Sequence, residues 1–123
     1  MQPDFVIDEV DPGLWVGPCP SSPDRIRQLR AVGIDGLVSL QTDDDLAVIG
    51  LDWKVLWRFL MGQGIASLRC PITDFDDRAL VQSLPAAVAA VAEMRTAGRG
   101  TYLHCTAGIN RSPTVAIGWL VRH

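Results

Sequence analysis

TYLHCTAGINRSPTVAIGWLVR, residues 101–122, decides how this chain folds, because it passes from one periodicity to another through a loop of small residues. "TYLHC" (101–105) reads as a strand, and "SPTVAIGWLVR" (112–122) reads as a helix whose Pro113 suits the first turn. A strand that feeds a helix in this way is a unit of the layered α/β folds. Ligands of such sheets bind beyond the carboxyl ends of the strands, so the loop between Cys105 and Ser112 lies where a ligand would sit. Three readings of its lone thiol compete: a buried structural cysteine, a metal ligand, and a thiolate nucleophile that attacks something anionic.

Upstream, the same alternation recurs. "LWVG" (14–17) reads as a short strand. A helix comes next, with Ser22 as N-cap, Pro23 at the first helical position and Gly33 as its stop. Ile26, Leu29 and Val32 share one face of it, and Arg25, Gln28 and Arg30 face away as a solvated side. "GLVSL" (36–40) is a continuous apolar run of the kind a doubly covered parallel strand shows. "QTDDD" (41–45) then reads as a loop leading into the next helix; its aspartates lack the further oxygen ligands that a hard cation needs. In residues 52–62 Asp52 starts a helix, Val55, Leu56, Phe59 and Leu60 recur at helical spacing, and Gly62 and Gly64 stop it. Trp53 and Trp57, one turn apart, read as packed; the alternative is a substrate-stacking platform, a sugar-binding face to which Phe75 would also belong. "SLRCPI" (67–72) is a strand, and Leu84, Val88, Val91 and Met94 draw an apolar stripe from about Ser83 to Thr96. The expected architecture is α/β: a compact, mostly parallel sheet flanked by helices.

Composition narrows the function. The 123 residues, 48% of them hydrophobic, suit one domain with a modest core. A formal charge of −3 with no basic stripe argues against nucleic acid as a partner. Residues 1–10 lack a basic start and an apolar h-region, and no apolar run approaches the ~18 residues of a membrane span. Cys19, Cys70 and Cys105 are odd in number and far apart, so neither a disulfide framework nor a metal pair is suggested. These features predict a soluble, cytoplasmic protein without metal or cofactor, in a compartment that keeps a thiol reduced.

The residues around Cys105 favour the nucleophile. A strand-to-helix loop of small residues can aim successive backbone N–H groups at one point, where the helix dipole adds about half a positive charge. Such a point attracts a dianion. Gly108 and Asn110 tolerate φ > 0, and the planar fork of Arg111 matches two phosphate oxygens. The same surroundings predict that the Cys105 thiol titrates below its free value of about 8.5. His104 reads as a core histidine bonded to backbone, a support and not a base, and Cys19 and Cys70 read as packing residues.

"YLHCTAGINRSPT" resembles the signature of the cysteine-dependent protein phosphatases, in particular their compact dual-specificity branch. "LWVGPCPSSPDRIRQLRAVGIDGLVSLQTDDD" and "PITDFDDRALVQSLPAAV" resemble the matching segments of laforin-like and plant glucan phosphatases. The resemblance implies that Cys105 is the nucleophile, that Arg111 binds the phosphoryl group, that Ser112 helps the thiolate leave and that Asp74 is the general acid. It assigns Thr106, Ala107, Gly108, Ile109, Asn110 and Arg111 to phosphate binding. Its substrate class stays open among phosphorylated protein, glucan and phosphoinositide, because glucan-acting members carry glycine where this chain has Asn110. The family continues past the signature with further helices, so the chain is expected to be a single phosphatase-like domain, 1–123, either truncated at its C-terminus or an unusually minimal domain that lacks those helices. A catalytically weak phosphate-binding module is the alternative. Sulfur transfer or arsenate reduction fits less well, since the low-molecular-weight enzymes carry their loop near the N-terminus.

Overall fold

A computed structural model describes residues 5–106 and 111–122. Its strands are β1 (Asp8–Asp11), β2 (Leu14–Gly17), β3 (Ile34–Ser39), β4 (Ala66–Arg69) and β5 (Gly100–His104). The helices are α1 (Pro23–Ala31), α2 (Asp43–Val48), α3 (Trp53–Gly62), α4 (Asp77–Thr96) and α5 (Arg111–Arg122). They build one sheet in the order β1-β2-β5-β3-β4, in which β2, β5, β3 and β4 run parallel and β1 returns antiparallel on β2. The mostly parallel α/β sheet expected from the sequence is therefore present.

Side-chain alternation divides the core in two. Leu14, Val16, Val38 and Leu103 point to the face covered by α4 and α5, where Val88, Val91, Met94, Val115 and Ala116 meet them. Leu37 and Tyr102 point to the opposite face, under Ile26 and Leu29 of α1 and Leu56 and Leu60 of α3. A two-residue period with both faces buried explains why "GLVSL", most of β3, reads as a continuous apolar run.

Several elements differ from their sequence expectation. β1 is additional: the Pro12-Gly13 corner, with Gly13 at φ +78°, folds it back on β2, and the Glu9 carboxylate accepts the Gly13 N–H at 3.0 Å. The QTDDD segment begins a helix as expected, but its loop part is only Gln41 and Thr42: Thr42 caps α2 and all three aspartates form its first turn. α4 begins at Asp77, six residues before the apolar stripe, because the Asp76 side chain accepts the Ala79 N–H at 3.0 Å; Pro85 is carried inside the helix. β4 ends at Arg69, although Cys70 and Ile72 still donate to the Ser39 and Leu40 carbonyls. Val32 is 46% exposed because the helix has already ended at Ala31. Arg25 is half-buried and not solvated: it lies over the Phe5 ring and donates to the Cys19 carbonyl. Val55 and Phe59 are exposed, since the sheet covers only the Leu56–Leu60 side of α3. Trp53 packs under Arg69, whereas Trp57 is exposed.

β3 and β5 approach closely at their amino ends. A Cβ at Gly100 would lie 2.3 Å from the Gly33 carbonyl oxygen, a backbone atom that can move only by shifting the β3–β5 register. Gly100→Ala is therefore expected to cost about 2 kcal/mol in urea unfolding. Gly62→Ala, at a helix end with nothing within 4 Å of the added atom, should be neutral or stabilise by up to about 1 kcal/mol. Equal stability of the two variants would refute the tight crossing at Gly100.

Candidate active site

Parallel strands all end on one side, and β5 is central, so the chain beyond His104 emerges between the ends of β2 and β3. Cys105 is buried there, with its Sγ 3.4 Å from the Ser112 Oγ in the first turn of α5. Ala107, Gly108, Ile109 and Asn110, expected to line the phosphate loop, fall outside the described residues. Thr106 is described, and its carbonyl accepts the Cys19 N–H at 3.2 Å.

Arg111 opens α5 with a guanidinium only 2% exposed. Its Nη1 donates to Asp45 Oδ2 at 2.7 Å and to the Ile72 carbonyl at 2.8 Å, and its Nη2 donates to Thr106 Oγ1 at 3.2 Å. Among the described residues its Nε has no hydrogen-bond partner, but the Asp74 carboxylate lies 3.4 Å away. Asp74 comes after β4 on the carboxyl edge of the sheet, as expected from its position after "SLRCPI". It accepts the N–H of Phe75, a residue 90% exposed in the left-handed region at φ +56°. Asp76, two residues further on, is occupied as the cap of α4. Cys105, Ser112, Arg111, Thr106 and Asp74 thus share one end of the sheet. Phe75 stands at its rim, whereas Trp53 is turned toward Arg69.

Two side chains near the site were not singled out in the sequence. Asp45 meets Arg111 directly, and the buried Gln41 donates from Nε2 to Thr106 Oγ1 at 3.1 Å. A signal for Asp45 was present: three residues after Thr42, it sits at the capping-box position whose side chain turns back toward the N-cap.

His104 is fully buried, stacked on Tyr102 with ring centroids 5.9 Å apart, and its Nδ1 lies 3.3 Å from the Cys105 carbonyl. A carbonyl can only accept, so the proton is on Nδ1. Burial drives the His104 pKa down to about 4; the bond to Cys105 opposes this, and the cationic Arg111 and Arg69 reinforce it. The ring is neutral at pH 7. The other thiols are suppressed: burial pushes Cys19 up to about 12, against the pull of Arg25 and Gln41, and burial raises Cys70. No cluster of three metal-ligating side chains occurs among the described residues, and no helix among them is long and apolar enough to cross a membrane.

Comparison with known proteins agrees with this geometry. The profile of the dual specificity phosphatase catalytic domain matches residues 14–123. A phosphoglucan phosphatase of Castanea sativa is 34% identical over 113 residues, which are 90% of this chain and 30% of that protein. Laforin of Mus musculus is 25% identical over 120 residues, 89% of this chain and 36% of that protein. The chain thus spans about a third of the length of these curated relatives. Among solved structures, the active form of Tk-PTP superposes with a TM-score of 0.76 at 23% identity, over 94% of this chain and 72% of that one.

The buried His104 ties stability to pH. Its folded pKa lies below the unfolded value of 6.5, so its contribution is complete above pH 6.5 and is lost as pH falls toward 4. The loss is expected to be on the order of 3 kcal/mol. Urea unfolding at pH 7, 5.5 and 4.5 should therefore fall less steeply in His104→Gln than in the wild type. Parallel pH profiles would show that His104 does not carry the effect.

Proposed function

Because this chain belongs to the dual-specificity phosphatase catalytic-domain family, whose members are cysteine-dependent phosphatases, we propose that it hydrolyses phosphomonoesters through a phosphocysteine on Cys105. The observation that supports this reading most is the pairing of the Cys105 thiol with Ser112 at the end of β5, beside a buried guanidinium whose Nε is unsatisfied among the described residues. An Arg fork in that place is suited to two phosphoryl oxygens.

In this reading the Cys105 thiolate attacks phosphorus, the S–P bond forms, the P–O bond to the leaving group breaks, and the Asp74 carboxyl gives its proton to the departing oxygen. Water then attacks the phosphocysteine, and Asp74 takes its proton. The S–P bond breaks with the Ser112 hydroxyl donating to the returning thiolate, and inorganic phosphate leaves. Thr106, Ala107, Gly108, Ile109 and Asn110 are assigned backbone N–H contacts to the phosphoryl oxygens, and Arg111 the fork that holds two of them as charge builds. His104, a neutral ring in the core, holds the Cys105 carbonyl. Residence in the reducing cytoplasm belongs to the same proposal, since a working thiolate needs it.

For the substrate we place phosphorylated glucan first, on the 34% identity to a phosphoglucan phosphatase and on the exposed Phe75 beside Asp74, an aromatic face of the kind that stacks on apolar rings. Asn110, where glucan-acting members carry glycine, weighs the other way, so phosphoprotein and phosphoinositide stand as the comparisons. Phosphate release from phosphorylated amylopectin, a phosphotyrosine peptide and a phosphoinositide, measured side by side, tests the order. No release from any of the three would favour a phosphate-binding module.

Cys105→Ser should lower turnover by about 10³-fold or more while still binding vanadate, because a hydroxyl is a far weaker nucleophile than a thiolate. Iodoacetate should label Cys105 before Cys19 and Cys70, and phosphate should protect it. Activity near wild type in Cys105→Ser would sink the covalent mechanism. Asp74→Ala should lose ~10²-fold on an alkyl phosphate and much less on an activated aryl phosphate, whose phenolate leaves unaided. If Asp76→Ala shows that dependence and Asp74→Ala does not, the acid is misassigned.

A further inference from the structure

The QTDDD stretch (41–45) carries no step of the phosphocysteine reaction, yet it meets the site through two side chains, Gln41 and Asp45. Of the three adjacent aspartates, Asp43 is 85% exposed and pairs with Arg69, Asp44 is exposed, and Asp45 alone turns inward at 19%. Its rotamer is set by the capping box of α2. Asp45 Oδ2 accepts the Thr42 N–H at 3.0 Å, and Thr42 Oγ1 accepts the Asp45 N–H at 3.1 Å. Burial works against the charged carboxylate, but the hydrogen bonds from Arg111 and Thr42 outweigh it and hold Asp45 below the ordinary carboxylate range.

We propose that Asp45 is a positioning residue for this reaction: it sets the plane of the Arg111 guanidinium so that the Nε–Nη2 edge stays open to two phosphoryl oxygens. The proposal rests on the phosphatase reading. Its basis is the allocation of donors. A guanidinium has five N–H groups in a rigid plane. Both Nη1 protons have acceptors, in Asp45 and the Ile72 carbonyl. Nη2 gives one proton to Thr106 Oγ1, which the Gln41 amide steadies from the other side. Among the described residues, what remains is Nε–H and the second Nη2 proton, two parallel donors on one edge, the arrangement that fits two oxygens of one phosphoryl group.

Without Asp45 the plane has a competing solution. The next carboxylate is Asp74, already 3.4 Å from Nε, and a guanidinium released from Asp45 can close both donors of its open edge on it. That pairing would occupy the phosphoryl fork and immobilise the proposed acid in one step. Asp45 also neutralises the buried cation, so the fork contributes direction to the transition state more than net charge. An orienting contact of this kind shows in kcat and not in KM.

The test uses the full chain with p-nitrophenyl phosphate as substrate, and vanadate and inorganic phosphate as ligands. Asp45→Ala is expected to lower kcat about 30-fold or more with KM within about threefold, and to weaken vanadate, which mimics the five-coordinate phosphorus, far more than phosphate. Thr42→Ala removes the hydroxyl that accepts the Asp45 N–H but keeps the Thr42 N–H that holds Asp45 Oδ2, and with it the Asp45–Arg111 contact; it should keep kcat within about twofold while losing stability. Asp45→Glu should recover part of the loss. A kcat in Asp45→Ala within threefold of wild type, or an equal fall in Thr42→Ala, would overturn the proposal in favour of a purely structural α2. Should Asp45→Ala fail to fold, Asp45→Asn keeps the Thr42 contact and is expected to move kcat and vanadate affinity in the same direction; no change overturns the proposal. A wild type that binds vanadate but turns nothing over would defeat the phosphatase reading, and the vanadate affinity of Asp45→Ala against wild type would still decide the role of Asp45.

Discussion

A guanidinium cannot shed its charge, and that of Arg111 is almost wholly removed from water. An unpaired ion so placed costs several kcal/mol, so the fold has to bring acceptors to it. They come from segments far apart in sequence: Asp45 from α2, the Ile72 carbonyl and Asp74 from the chain after β4, and Thr106 from the chain after β5. The carboxyl edge of the sheet is where all of them meet. The charge that makes the site useful is the same charge that ties the ends of β4 and β5 to the start of α5.

The central position of β5 does the rest. Parallel neighbours occupy both of its edges and helices cover both of its faces, so successive residues enter opposite cores: Tyr102 and His104 toward α1 and α3, Leu103 and Cys105 toward α4 and α5. The thiol therefore reaches the side where Ser112 waits at the start of α5, while the neutral imidazole packs behind it on Tyr102. A one-residue slip of β5 would exchange the two. The close approach of Gly100 to the Gly33 carbonyl guards that register from the opposite end of the strand.

The surface beyond the site reflects how little of α3 the sheet covers. Its apolar residues run nearly all the way round, and Val55 and Phe59 line an open cleft of about 260 Å³ with Ile26 and Leu51. Hydrophobic spacing marked α3 as a helix but not which of its apolar residues are buried, since that depends on where β4 ends beneath it. The same limit applies to Val32, apolar and in phase with Ile26 and Leu29 yet beyond the last turn of its helix.

The sequence by itself determined the alternation of strands and helices, the parallel sheet, and the placing of Cys105, Ser112 and Arg111 around one strand-to-helix loop. These are local facts: periodicity, caps and the chemistry of neighbours carry them, and they were legible for that reason. It also marked Asp74 by its position after a strand. The tertiary structure alone decided that Arg111 meets the carboxylate of that capping box, that Gln41 reaches Thr106, and that the proposed acid rests against the proposed fork. Asp45 and Arg111 are separated by 66 positions, and no periodicity connects them. The capping-box spacing from Thr42 marks Asp45 within the run, but only the burial of a permanent charge, and the need to compensate it at the point where the strands end, joins that carboxylate to Arg111.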